Sequence, residues 1–287
     1  MNYETIETVI APGVALIWLN RPDLRNAMND TMIAELTDAI EAAIDDESIR
    51  AIVLAGRGKA FCAGGDLNWM KRANEMTPEE AFEDSRKLAK LLRTIHDSPK
   101  PVIARVHGAA FAGGMGLVAA CDIAVASHEA RFCLSEVKLG LIPATISPYV
   151  IRAMGARASH RWFLTAERFD AAEAHRIGFV HAVVTADQLE ARVAEIARAL
   201  VSASPAAVKA CKRLVQDVAE REIVVALVDQ RLDRRRRVRV VALAPDHPAT
   251  RYVDIVGSVS VACYLLWTGL RTAQPHLLGT KEELKGA

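Results

Sequence analysis

The sequence lacks the features that mark several classes of protein. Its five cysteines are an odd number and show no CxxC spacing, so we expect neither a disulfide framework nor a zinc site. The formal net charge is only +1, and a broad nucleic-acid surface is not expected, because phosphate binding needs clustered basic charge. The longest uncharged apolar run, residues 255–270, is shorter than the roughly 20 residues of a membrane-spanning helix.

The N-terminal segment MNYETIETVI carries acidic residues and no signal-type apolar stretch, which favours a cytoplasmic location. The composition is that of an ordinary globular protein, with 51% hydrophobic and 25% charged residues over 287 positions. With so little net charge, an anionic ligand would have to be held by a few local Arg or Lys residues and by helix N-termini.

Strand-like apolar runs alternate with segments of helical periodicity along the chain. The Thr-Pro-Glu-Glu sequence at 77–80 is a strong helix start, with a capping residue, a proline in the first turn and acids against the helix dipole. We predict strands over 14–19, 49–54, 102–106, 122–126 and 180–184, and helices over 31–44, 77–96, 147–154, 171–176 and 187–200. This alternation predicts an α/β fold.

Two glycine-rich segments carry the chemistry. FCAGGDLNWM (Phe61–Met70) and HGAAFAGGMGLVAACD (His107–Asp122) each break from an apolar run into adjacent glycines and then enter a helical pattern. Taken singly, each glycine pair is explained by a tight turn. Taken together, two such breaks can direct two backbone N–H groups at one oxygen, which predicts an oxyanion hole for a thioester enolate.

An enolate mechanism also needs a group that carries a proton. Glu136, in FCLSEVKLGLIP, is flanked by apolar residues, so partial burial and a raised pKa are one interpretation. The other is a glutamate paired with Lys138 on an exposed strand edge, and the residues alone favour this second interpretation. Among the neighbours of the glycine segments, Cys62 is expected to pack as a small apolar group, His107 to shape a turn, and Trp69 to line either an acyl pocket or the core.

Six segments together resemble the enoyl-CoA hydratase/isomerase (crotonase) superfamily, in family order over roughly residues 5–220. They are LNRPDLRNAM (19–28), AFCAGGDLNWM (60–70), HGAAFAGGMGLVAACDIAVAS (107–127), ARFCLSEVKLGLIP (130–143), LTAERFDAAEAHRIGFVHAVV (164–184) and SPAAVKACKRLV (204–215). The stretch SEVKLGLIPATISPYVIRAMGA is also similar to bacterial methylglutaconyl-CoA and carboxygeranoyl-CoA hydratases. The resemblance implies a ββα spiral core that binds acyl-CoA over residues 1–200, and a helical oligomerisation part over residues 201–287.

The resemblance also assigns roles to single residues. The backbone N–H groups of Gly65 and Gly113 fall on the two oxyanion donors. Ala63, Asp66 and Leu67 fall on the wall that meets coenzyme A. Arg25 lies in the loop on the coenzyme A side, where it is either a phosphate-binding cation or a solvated charge.

Two-glutamate hydratases use a pair of carboxylates, and only the second is present here, as Glu136. Gly116 stands where the first would be. We therefore expect Glu136 to act as both acid and base in a syn addition. A substrate carboxylate, or a water held where the missing side chain would sit, is expected to replace the function lost at Gly116.

The function implied is hydration of a 2-enoyl-CoA to a 3-hydroxyacyl-CoA, with a methylglutaconyl-type compound as a candidate substrate. A Δ3–Δ2 enoyl-CoA isomerase using Glu136 alone is the first alternative, and a catalytically silent protein that binds CoA esters is the second. Coenzyme A belongs to the substrate, and no other cofactor or metal is implied. Homotrimers or homohexamers are expected, without nucleic-acid or membrane partners.

The C-terminal part departs from the family pattern after about Glu222. The basic run Arg234–Arg237 is typical of a solvated face, and binding of phosphate or RNA is the minor alternative. The β-branched stretch Val253–Val261 is not typical of a bundle helix.

Overall fold

The computed structural model describes residues 3–73, 76–219, 226–228 and 240–242. The chain divides into two compact units, residues 1–212 and residues 213–287. The second unit contains a short antiparallel pair, β10 (Ala226–Val228) and β11 (Val240–Ala242). The sequence interpretations of Arg234–Arg237, Val253–Val261 and residues 255–270 lie outside the described residues.

The first unit is built on a six-stranded sheet in which only the first pair of strands is antiparallel. In spatial order its strands are β1 (Ile6–Ala11), β2 (Val14–Leu19), β3 (Ala51–Gly56), β4 (Val102–Val106), β6 (Ile123–Ser127) and β9 (Ala182–Val184). A smaller sheet contains β5 (Ala109–Phe111), β7 (Arg131–Cys133) and β8 (Phe169–Asp170).

Eight helices lie in the part of the chain that the structure describes. They are α1 (Asp30–Asp45), α2 (Leu67–Ala73), α3 (Pro78–Asp97), α4 (Gly113–Ala120), α5 (Ser147–Thr165), α6 (Ala171–Arg176), α7 (Leu189–Ser202) and α8 (Pro205–Ala219), with 3-10 turns at Pro22–Leu24 and Glu136–Leu139. The capping interpretation of Thr77 is confirmed, since Thr77 and Glu80 form a reciprocal capping box. Within the described residues, no helix is long and apolar enough to cross a membrane.

Strand β3 is buried on both faces, as expected for a central parallel strand. Its Ile52 and Leu54 side chains belong to the main core, whereas Val53 belongs to a second cluster with Val193 of α7. Residues of α1 and α3 pack in the main core. The α/β fold predicted from the alternating pattern is confirmed, and most predicted ends lie within about two residues of the observed ones. The exception is the helix predicted over 147–154, which continues past a non-helical Gly155 to Thr165.

The chain passes between the two sheets at Gly108. Strand β4 ends at Val106, Gly108 takes a φ of +56°, and β5 then begins in the smaller sheet. There β5 pairs in parallel with β7, so that Phe111 lies opposite Cys133. The second glycine pair follows β5 and the segment with Glu136 follows β7, so this pairing places both at one edge of the small sheet.

Candidate active site

The loop from Arg21 to Met28 is pinned by Asn26. Asn26 is fully buried with a left-handed φ of 56°, and its Nδ2 donates to Arg57 O at 2.9 Å and Ala60 O at 2.8 Å. Its Oδ1 accepts a hydrogen bond from the Arg21 N–H at 2.9 Å. A buried amide with all these partners fixes the Arg21–Met28 loop against the segment that contains Arg57 and Ala60.

The first glycine pair lies in a loop held by Met28. The Met28 N–H donates to Gly64 O at 2.8 Å, and Met28 O accepts from Asp66 N–H at 2.8 Å. Because these two bonds flank Gly65, its own N–H points away from Met28. That N–H has no hydrogen-bond acceptor among the residues that the structure describes. In the apolar run before this pair, Cys62 forms one isolated bridge with Ala110, and the run does not form a regular strand.

The second glycine pair begins helix α4. Ala112 precedes it with φ 46° and ψ −119°, a strained conformation for a residue with a side chain. The Ala112 N–H donates to Cys133 O at 2.8 Å. Gly113 then opens the helix, where an N–H has no partner within the helix and adds to the positive end of its dipole. Within the described part of the chain, the Gly113 N–H has no acceptor either.

Close packing brings the two glycine loops together. A Cβ on Gly113 would lie 2.5 Å from Met28 Cε, and one on Gly114 would lie 2.5 Å from Cys62 O. A Cβ on Gly64 would lie 3.1 Å from the Ala112 Cβ. Gly114 and Gly64 approach the backbone oxygens of Cys62 and Phe111, so a side chain is disfavoured at both positions, whereas Gly113 faces the flexible end of Met28. Met28 contacts both loops. Two unpaired N–H groups thus lie in neighbouring loops, as an oxyanion hole requires.

Glu136 opens the 3-10 turn that follows β7. Its Oε2 is buried and has no hydrogen-bond partner among the described residues. Burial raises the pKa of Glu136, although its own backbone N–H opposes part of the shift. Lys138 turns away, and its Nζ donates to Ala166 O at 2.8 Å. The interpretation of Glu136 as the ion-pair partner of Lys138 on an exposed strand edge is therefore wrong.

Gly116 is buried in the first turns of α4. A Cβ on Gly116 would lie 2.9 Å from the Cβ of Ile146, closer still to its γ2 methyl, and 3.7 Å from Leu92 Cδ2. The space that the missing glutamate would enter is filled by an aliphatic side chain.

The carboxylate of Asp66 is held by an ion pair and by backbone hydrogen bonds. It forms an ion pair with Arg21 at 2.9 Å, and its Oδ1 accepts from the N–H groups of Asn68 at 2.8 Å and Trp69 at 3.3 Å. Burial alone would raise the pKa of Asp66, but the hydrogen bonds from Asn68, Arg21 and Trp69 outweigh it, and the pKa is lowered. The carboxylate therefore caps α2, and the next residue, Leu67, is 69% exposed.

Arg25 and Ala63 are joined through the backbone. The Ala63 N–H donates to Arg25 O at 3.0 Å, while Arg25 is exposed with a left-handed φ of 50°. Arg25 thus helps to shape the loop that contains Ala63. Its side chain lies at the surface.

The other residues near the glycine loops mostly have packing roles. Burial raises the pKa of the Cys62 thiol to about 12, which confirms Cys62 as a packing residue. His107 contributes Nε2 to a hydrogen bond with Gly58 O at 2.9 Å, which confirms its role in a turn. Trp69 packs against the main core, and its buried Nε1 has no partner among the described residues.

Three residues of this site were not singled out from the sequence, namely Asn26, Met28 and Ile146. The first two lie in the segment LNRPDLRNAM, and an Asn followed by an apolar residue inside a polar loop was the available signal. No local signal pointed to Ile146, because its contact with Gly116 joins residues thirty positions apart.

Comparisons with known proteins identify relatives of this architecture. The family model for enoyl-CoA hydratase/isomerase matches residues 10–235. A putative enoyl-CoA hydratase of Thermus thermophilus is 36% identical over 202 residues, which is 70% of this chain and 80% of that protein. The crotonyl-CoA hydratase of Syntrophomonas wolfei is 33% identical over 225 residues, 78% of this chain and 85% of the relative.

A solved structure is similar over the same region. The crystal structure of a putative enoyl-CoA hydratase/isomerase (crotonase) from Legionella pneumophila superposes with a TM-score of 0.74 at 46% identity. The superposition covers 76% of this chain and 85% of that chain.

Proposed function

This chain belongs to the enoyl-CoA hydratase/isomerase family, and from that membership we propose that it hydrates a 2-enoyl-CoA to a 3-hydroxyacyl-CoA. Relatives named as enoyl-CoA and crotonyl-CoA hydratases support this activity. The observation that carries the proposal is Glu136, a half-buried carboxylate with a raised pKa and one oxygen that has no hydrogen-bond partner in the described part of the chain. Such a group is suited to proton transfer near neutral pH.

The proposed reaction uses one carboxylate twice. The Glu136 carboxylate accepts a proton from water as the water oxygen bonds to C3 of the substrate. The C2–C3 π electrons move towards the thioester, whose oxygen becomes the enolate oxyanion. The N–H groups of Gly65 and Gly113 bind that oxygen, and each such donor is worth about 3 kcal/mol in known acyl-transfer sites. Protonated Glu136 then delivers the proton to C2, and the thioester carbonyl forms again.

The missing glutamate at Gly116 is the basis for the substrate class that we propose. Since Ile146 fills the space of the missing glutamate, the remaining candidate for a second carboxylate is one carried by the substrate. A methylglutaconyl-type acyl group has such a distal carboxylate. We place the coenzyme A portion along Ala63, Asp66 and Leu67, with Arg25 near its phosphates.

Isomerisation of a 3-enoyl-CoA is the second candidate function, and the Gly116–Ile146 contact favours it. Moving the double bond needs one base to carry a proton from C2 to C4 and needs no water. An aliphatic wall where hydratases place a second acid suits this chemistry as well.

Separate incubations with crotonyl-CoA, 3-methylglutaconyl-CoA and a 3-enoyl-CoA distinguish these activities. We expect 3-hydroxyacyl-CoA from at least one 2-enoyl substrate and its loss in Glu136→Gln, with retained binding of CoA esters. Glu129→Gln is the matched control, because Glu129 is exposed. Bond migration without hydration would establish the isomerase and contradict the hydratase. Binding without any turnover would establish the silent alternative.

We further propose that the protein assembles as a homotrimer or homohexamer, as the family resemblance implies, with residues 201–287 as the oligomerisation part. The mass of the full chain in solution, measured by light scattering, tests this. A monomer at micromolar concentration would contradict it.

A further inference from the structure

A cavity of about 370 Å³ lies between the large sheet and helix α7. It is formed on the face that carries Val53, which is the opposite face from the main core containing Met28, Cys62 and Ile146. Its lining is mostly apolar and includes Val14, Leu16, Val53, Val193, Ala194 and Ala197. A cavity of this size and character is typical of sites for small organic ligands.

Three charged residues line this cavity, namely Arg105, Arg198 and Glu190, and Arg105 comes from the large sheet. Strand β4 points it to the same face as Trp18, since Trp18 pairs with Ala55 and Ala55 pairs with Arg105 across the sheet. Both residues line the cavity. The Arg105 Nε is buried and has no hydrogen-bond partner among the described residues.

The neighbouring Arg57 has an ion-pair partner, whereas Arg105 has none among the described residues. The Arg57 guanidinium lies 4.0 Å from the Trp18 ring centroid and forms two hydrogen bonds with Glu7, at 2.8 and 2.9 Å. Arg105 lies 5.4 Å from the same ring. An aromatic face attracts a cation but accepts no strong hydrogen bond, and no carboxylate of the described chain forms an ion pair with Arg105.

The groups around Arg105 do not fully stabilise its positive charge. Burial lowers its pKa, the charge of Glu190 raises it, and Arg57 lowers it further. The guanidinium nevertheless stays protonated, as arginine does in proteins. A half-buried cation with an unpartnered N–H is unfavourable, and a bidentate carboxylate is the group that matches its geometry.

We propose that this cavity binds a medium-chain fatty carboxylate, with the alkyl chain against the apolar lining and the carboxylate on Arg105. The ligand is an amphiphilic monoanion because the lining combines an extended apolar wall with Arg105, Arg198 and Glu190, whose charges sum to +1, and the Nε of Arg105 has no hydrogen-bond partner among the described residues. The site is separate from the glycine loops, so the proposal does not depend on which reaction the protein catalyses.

Trp18 allows binding to be measured directly on the full chain. It is one of four tryptophans, and a bromine on the ligand chain quenches an indole that it contacts. We expect titration with 10-bromodecanoate to quench part of the fluorescence and Trp18→Phe to remove that part. Calorimetry with decanoate should then show that Trp18→Phe still binds. Quenching that persists in Trp18→Phe would place the ligand elsewhere.

Four variants test the charged part and the apolar part of the site. Arg105→Gln should weaken decanoate binding at least about tenfold, as expected for a lost charge-assisted hydrogen bond, and leave decanol binding unchanged. Arg105→Lys should recover part of the loss. Ala194→Phe should fill the cavity and abolish both, whereas Ala199→Phe, on an exposed position of the same helix, should abolish neither.

The proposal is overturned if decanoate fails to bind the unaltered protein at millimolar concentration. It is also overturned if Arg105→Gln and Ala194→Phe bind decanoate as the unaltered protein does. Competition with crotonyl-CoA is the last comparison. Full displacement of decanoate by the thioester would assign the carboxylate to the acyl-CoA site instead.

Discussion

Ile146 packs against Gly116 so closely that no side chain fits between them. A Cβ on Gly116 would lie 2.9 Å from the Ile146 Cβ and closer to its γ2 methyl. Because Ile146 is only 3% exposed and belongs to the main core, it has little room to move away. The position of the absent glutamate's Cβ is thus occupied by the side chain of Ile146, a residue from elsewhere in the chain.

Gly116→Glu should therefore destabilise the protein without restoring a second acid. Overpacking alone should lower the free energy of unfolding by about 1–3 kcal/mol, and the buried carboxylate adds a further penalty. Urea unfolding measures the effect. Gly116→Ala, which adds only the Cβ, is the smaller control.

A double-mutant cycle with Ile146→Ala tests whether contact with Ile146 causes the destabilisation by Gly116→Glu. Alone, Ile146→Ala should destabilise by about 2–5 kcal/mol, as large-to-small core substitutions do. Combined with Gly116→Glu it should cost less than the sum of the two single changes, because the residues compete for one space. Additive effects would show that the contact is not what excludes the glutamate.

The raised pKa of Glu136 predicts opposite trends for activity and stability with pH. As a base, Glu136 must be ionised, so kcat/KM should rise with pH through a pKa above that of an ordinary glutamate. The folded state binds this proton more tightly than the unfolded state, so the contribution of Glu136 to stability is present at low pH and is lost as pH rises through the folded pKa.

Glu136→Gln should accordingly be more stable than the unaltered protein at pH 8, and the difference should shrink towards pH 4. Thermal unfolding across this range measures it, with Glu129→Gln as the control that shows no such trend. A Glu136→Gln variant that is less stable at every pH would contradict the burial of an unpartnered carboxylate.

Asp66→Asn should weaken the fold at neutral pH. It removes a charge-assisted pair with Arg21, and such interactions contribute about 1.5–3 kcal/mol. The pKa of Asp66 is lowered in the folded state, so its contribution is present above the unfolded pKa and is lost as pH falls through the folded pKa. Urea unfolding at pH 7 and pH 3 should show a smaller loss at pH 3 than at pH 7, and Asp23→Asn at an exposed position should show none.

A raised KM for the CoA ester without any loss of stability would instead make Asp66 a direct contact of coenzyme A. The two outcomes separate the structural role seen in the hydrogen bonds from the substrate-binding role implied by the family resemblance.

Asn26→Ala should be among the more damaging loop substitutions. It leaves Arg57 O and Ala60 O without their donor and forces alanine into a left-handed conformation. We expect a loss of at least about 2 kcal/mol, since each unsatisfied buried group costs about 1–3 kcal/mol. Asn26→Gly removes the conformational penalty but not the lost bonds, so it should recover only a minor part. Full recovery in Asn26→Gly would show that conformation, not hydrogen bonding, makes Asn26 necessary.

Local patterns predicted the elements well because each depends on neighbours in sequence. The capping box at Thr77 and Glu80, the apolar periodicity of α1 and the buried run of β3 are all interactions within a few residues. The ends of strands were less accurate, since pairing partners decide where a strand begins. Glu136 was misjudged for the same reason, because its exposure depends on the packing around it and Lys138 finds its acceptor at Ala166.

By itself the sequence determined the glycine pairs, the single glutamate and the family order of the six segments. Glycine is needed wherever backbone approaches backbone, and that requirement is visible as a residue type. Only the tertiary structure decided how these parts meet. It joined the two loops through Met28 and left the N–H groups of Gly65 and Gly113 without acceptors. It also filled the space beside Gly116 with Ile146 and left the Nε of Arg105 without a hydrogen-bond partner among the described residues. Each of these contacts spans many residues, and a packing partner at that distance leaves no periodic or local signal in the chain.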